Sequence, residues 1–118
     1  MAAVQRFLEK KEEEDKRDVA LHDLYRQYIG SYDDLRNLTV EEAIAYAHDV
    51  WEADRRMSKL EMLAGLWHAE GVYKADPLRT MLLEKAFRLY DYVDTHSGEY
   101  SLTRKERMRQ IKEMTQAK

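Results

Sequence analysis

The chain has 118 residues, 44% hydrophobic and 36% charged, with one proline, four glycines, no cysteine and a net charge of −3. That length suits one domain, and so few prolines and glycines exclude a sandwich or barrel, which needs a turn every few residues. The absence of cysteine excludes a disulfide framework, a thiolate zinc site and a cysteine nucleophile, while the near-neutral charge argues against a general polyanion binder.

Residues 9–18, EKKEEEDKRD, hold no apolar side chain. Glu12/Lys16 and Glu13/Arg17 at i,i+4 spacing support a helix in water, so residues 1–16 read as a charged, frayed helix start. From Arg17 onward Leu21, Leu24, Tyr25 and Tyr28 recur at helical spacing, and Gly30 is the expected stop. After the polar stretch SYDDLRN, Thr39 and Glu42 have the spacing of a capping box. The helix they open places Val40, Ala43, Ile44, Ala47, Val50 and Trp51 on one face, and Glu41, Glu42, Asp49 and Glu52 on the other. Were that helix to continue, Leu60, Leu63, Ala64 and Trp67 would point the opposite way. Ser58 and Glu61 repeat the capping-box pattern, with Met57 and Met62 spaced as a hydrophobic staple, so a break is expected between residues 54 and 58. Gly71 reads as a C-terminal cap, and Asp76-Pro77 as an N-cap with proline at the first helical position. The next helix buries Leu78, Leu82, Ala86, Leu89, Tyr90 and Val93 and ends at Ser97-Gly98. Thr103 and Glu106 open a last, basic helix over residues 101–118, which carries Met108, Ile111 and Met114. The expected fold is all-α: a single compact domain, an irregular helical bundle of four to five helices.

No apolar run reaches membrane-spanning length, and charges follow the first apolar residues too closely for a signal peptide. A cytoplasmic address without membrane contact is therefore expected. Glycines 30, 65, 71 and 98 never cluster into a phosphate loop, and no cofactor is expected. His48 and Glu52 stand one helical turn apart, but a transition-metal site wants three or four ligands. A boundary histidine bonded to a neighbouring acid is the simpler reading. No histidine has an acid three residues before it, as di-iron bundles require.

Two short motifs resemble known helical hydrolases. His22-Asp23 and His48-Asp49 repeat a His-Asp pair, and Ala43–Asp49 resembles the lead-in of HD-type phosphohydrolases. That resemblance implies metal held by His22, His48, Asp49 and a distant aspartate such as Asp91. Arg17-x4-His22 resembles the active-site motif of the HEPN ribonucleases. A hydrolase of either type ranks third among the readings.

Charge distribution and tyrosines carry the first two. Residues 31–54 hold seven acids against one base, and residues 101–118 six bases against two acids. These complementary ends allow contact within one molecule, between two copies or with separate partners. Eight tyrosines are also many for this length, and Tyr46, Tyr92 and Tyr100 fall off the centres of the apolar stripes, where exposed tyrosine favours interfaces. The leading expectation is a non-enzymatic protein-binding or regulatory protein, able to form a homodimer, that acts on another protein through Tyr46, Tyr92, Tyr100, Glu41, Glu42, Asp49 and Glu52. The alternative is a nucleic-acid binder using Lys105, Arg109 and Lys112, which share one face of the basic helix. Nucleic acid is the less expected partner, because the acidic remainder opposes phosphate attraction.

Overall fold

A central helix with almost no outward face organises the molecule. The structure, a computed structural model, describes residues 2–116; Met1, at the head of the segment read as frayed, and residues 117–118, at the end of the basic segment, lie outside it. Among the described residues there are seven helices and no strand: α1 (Ala2–Glu9), α2 (Glu14–Tyr28), α3 (Tyr32–Leu35), α4 (Val40–Val50), α5 (Ala53–Tyr73), α6 (Leu78–His96) and α7 (Leu102–Gln116). The radius of gyration of 13.3 Å is that of a compact chain of this size. No helix among the described residues is long and apolar enough to cross a membrane.

Every residue from Met62 to Gly71 is buried, which makes α5 a core helix covered on all sides. Helices α1, α2, α4 and α6 all pack against it, and α7 packs on α6. The amphipathic pattern of α6 is as expected, with Leu82, Leu83, Ala86, Leu89, Tyr90 and Val93 buried. The Thr39 capping box forms in full: Thr39 Oγ1 accepts from the Glu42 amide at 3.0 Å and Glu42 Oε1 accepts from the Thr39 amide at 2.8 Å. Gly30 and Gly98 follow α2 and α6 with φ of 138° and 72°, a region that costs glycine nothing.

Four local expectations are corrected. The opening segment is not frayed: α1 buries Val4 and Phe7, and the chain turns at residues 10–13 before α2. The polar stretch after Gly30 contains the short helix α3, capped by Ser31. A break does separate α4 from α5, but at Trp51–Glu52, ahead of Ser58. Trp51 is extended and buried there, while Arg56 Nε donates to Ala47 O at 3.0 Å and its Nη2 to Trp51 O at 3.2 Å. Arg56 thereby satisfies carbonyls that the end of α4 leaves open. Ser58 lies inside α5 with its hydroxyl donating to Arg55 O. Helix α7 starts before Thr103, because Ser101 Oγ accepts from the Arg104 amide at 3.1 Å.

Gly71 is also no C-cap. It sits in the last turns of α5, where a Cβ would stand 2.9 Å from the Leu83 side chain and 3.4 Å from Arg79 O. The glycine lets α5 and α6 approach closely. Gly71→Ala is expected to lose about 1 kcal/mol net, since overpacking costs ~1–3 kcal/mol and helix propensity returns less than that. A thermal midpoint at or above that of the parent would contradict this.

Candidate functional site

The outer face of α6 forms the floor of a trough, walled by α4 on one side and α7 on the other. Its larger part is a hollow of about 1030 Å³ whose apolar surface comes from Met81, Phe87 and Ile111, with Thr80, Lys85 and Thr115 beside them. A smaller hollow of about 340 Å³ continues along α6 toward its C-terminus, lined by Val40, Ile44, Tyr92 and Thr95. Phe87 and Arg88 border both hollows, and an ion pair from Arg88 to Glu41 crosses between them.

The polar groups of the trough are held by the protein's own framework. Thr80 Oγ1 donates to Asp76 Oδ1 at 2.5 Å, and Thr115 Oγ1 donates to the carbonyls of Ile111 and Lys112, each at 3.1 Å. Tyr92 stacks on His96 with ring centroids 4.1 Å apart. Lys85 Nζ donates to Arg36 O at 2.9 Å and Leu38 O at 2.8 Å, 4.1 Å from the centroid of the Trp67 ring. Burial first, then the Arg36 guanidinium, lowers its pKa to about 8, which leaves it charged at neutral pH.

Beneath this wall lies a buried ion pair. Glu70 is fully buried; its carboxylate accepts from Arg36 Nε at 3.1 Å, Arg36 Nη2 at 3.0 Å and Tyr32 Oη at 2.8 Å. Burial and the Glu70 carboxylate push the Tyr32 phenol far above its ordinary value. A second buried cluster joins α7 to the body: Arg104 Nε donates to Asp94 at 2.8 Å and its Nη1 to Glu61 at 3.1 Å. Buried Arg107 faces His68, which is 2% exposed. Both clusters lie within the packing and fix helices to one another.

The trough brings together Glu41 and Tyr92 in its smaller hollow and places Lys112 on the rim of the larger. The other residues singled out from the sequence lie elsewhere. Glu42 is spent on the Thr39 cap. Tyr46 is half-buried, edge-on to Trp51 with centroids 5.4 Å apart, while Asp49 and Glu52 are exposed at the α4–α5 corner. Tyr100, at 76% exposure, stands with Leu102 at the entry to α7. On α7, Lys105 pairs with Asp94, and Arg109 with Glu106 and Glu113. The complementary ends of the chain therefore do not neutralise each other: the bases of α7 are matched by acids of α5, α6 and α7 itself.

The hydrolase motifs do not assemble. Arg17 lies against Phe7 and Tyr73, and His22 stacks on Tyr32 at 3.8 Å. Asp23 pairs with Arg26, while His48 and Asp49 are exposed on α4. Among the described residues no group of three or more histidine, aspartate or glutamate side chains is placed to hold a metal ion. Met81, Phe87, Ile111 and Lys85, which shape the larger hollow, were not singled out from the sequence. A helical wheel marks Met81 as lying off the buried stripe of α6, and that is the signal that could have found it.

Compared with known protein families, with curated proteins and with solved structures, the chain matches none.

Proposed function

We propose that the chain is a non-enzymatic protein-binding protein that receives an amphipathic helix of another protein in the α6 trough. The observation that carries this reading is the continuous apolar floor of Met81, Phe87 and Ile111, edged by groups whose hydrogen bonds are already made. A helix laid in such a groove gains from apolar burial, and the rim charges set its register. Nucleic-acid binding by α7 has less support, because two of its three candidate cations are paired with acids and the pairing offsets phosphate attraction. A sequence free of cysteine suits action in the reducing cytoplasm.

The test is retention of a partner from native cell extract on the immobilised chain. Met81 is 43% exposed, so Met81→Asp places a charge on the trough floor while sparing the core. It is expected to lower retention about tenfold or more, with helical content and thermal midpoint unchanged. Equal retention by the two proteins would refute the trough as the binding surface.

A further inference from the structure

Helix α1 is seated lightly. It packs on α5 through Val4 and Phe7, and hollows of about 540 Å³ and 530 Å³ flank it, both lined in part by Ala3 and Arg6. Phe7 reaches Tyr73, with ring centroids 6.0 Å apart. The bend after α1 is held by one clamp. The Arg17 guanidinium lies 6.0 Å from the Phe7 centroid and 5.3 Å from that of Tyr73, and its Nη2 donates to Lys10 O at 2.7 Å.

The residues at the bend argue locally against it. Lys10, Lys11, Glu12 and Glu13 contain no glycine, proline or β-branched side chain, and lysine and glutamate are among the better helix formers. Were the helix to run unbroken from Ala2 to Tyr28, it would align four pairs of opposite charge at i,i+4: Lys10/Glu14, Lys11/Asp15, Glu12/Lys16 and Glu13/Arg17. Arg17 is where the two forms compete, because it serves the clamp in the bent form and Glu13 in the straight one. Straightening carries Val4 and Phe7 away from their own seat, leaving both the stripe and the seat uncovered.

We propose that α1 is an exchangeable strap, whose seat on α5 takes the α1 of a second copy when α1 and α2 join into one helix. The occupant is fixed by what already fills the seat: an identical segment remakes every contact of α1 without a new interface, which is why exchange of an element is a low-cost route to a dimer. This inference is independent of the α6 trough.

Two single variants test it, Ala3→Cys and Ser58→Cys, at positions lining one hollow beside α1 in a sequence with no cysteine of its own. The two chains are mixed, unfolded in urea, refolded together at high micromolar concentration and treated with a short bis-maleimide. The expected product is a covalent heterodimer joining position 3 of one chain to position 58 of the other, found in the dimer fraction on sedimentation. Adding Lys11→Gly and Glu12→Gly to both chains, which disfavours the long helix but not the bend, is expected to lower that product tenfold or more. Carried on one chain, Ala3→Cys and Ser58→Cys link within the molecule at low concentration, which establishes reach and an intact fold. A monomer throughout, a dimer without the cross-link, or a yield indifferent to the glycines would each overturn the proposal.

Discussion

Arg36→Leu is expected to cost about 3–5 kcal/mol of folding stability, a large share of the ~5–15 kcal/mol that holds a typical domain. The variant leaves Glu70, whose side chain is wholly buried, with a single donor, Tyr32 Oη. A carboxylate deprived of its counter-ion inside the core must keep an uncompensated charge or take up a proton, and either costs folding energy. Glu70→Leu is expected to cost less, because the Arg36 side chain is 17% exposed and can turn to water. The double variant should lie closer to the parent than Arg36→Leu does, since it removes both charges together. Urea unfolding midpoints at constant slope measure all three. An Arg36→Leu protein within about 1 kcal/mol of the parent would mean that Lys85 or water replaces the guanidinium, and the pair would lose its structural role.

Acid is the second large effect. Burial, and then the neighbouring Arg107 guanidinium, lowers the pKa of His68 from 6.5 to about 4. The folded state therefore holds His68 neutral in a range where the unfolded chain protonates it. Stability from this group is complete above pH 6.5 and is lost as pH falls from 6.5 to about 4, reaching about 3 kcal/mol. The carboxyls of Asp18 and Asp94, held below their ordinary range by Tyr73 and Lys74 and by Lys105 and Arg104, add their losses only at lower pH. His68→Leu should flatten the stability profile between pH 6.5 and 4 while leaving the steeper fall below it. A parent protein equally stable at both ends of that window would show that Arg107 moves away and the site admits water.

What could be read in the sequence follows from how local each feature is. The Thr39–Glu42 box is completed within four residues, so its pattern and its structure agree. The same pattern at Ser58 and Glu61 describes nothing real. Arg56, reaching back to the carbonyls of α4, ends that helix earlier, and α5 then runs through Ser58. The all-α class and the stripe of α6 were legible because burial on one face leaves a period. The surroundings of α5 were not, because a helix buried all round has no polar face to mark its orientation, and Glu70 and His68 look solvent-facing until Arg36 and Arg107 arrive from distant segments. Helix α1 escaped notice because two buried residues, Val4 and Phe7, precede ten without an apolar side chain. Of the candidate site, Glu41, Tyr92 and Lys112 were in view, while the floor they border is created only when α7 lies down beside α6.

The position of α5 also bears on how the chain matures during synthesis. Its covering helices come from both directions along the polypeptide: α1, α2 and α4 precede it, and α6 follows. A nascent chain that has just released α5 from the ribosome has only one side of that apolar cylinder sheltered, and it stays so until α6 emerges. Partial structure in the first half of the chain therefore cannot mature into an independent unit. Folding waits for the late segments and then proceeds in a single cooperative step, and the interval before α6 arrives is when the chain is most exposed to self-association.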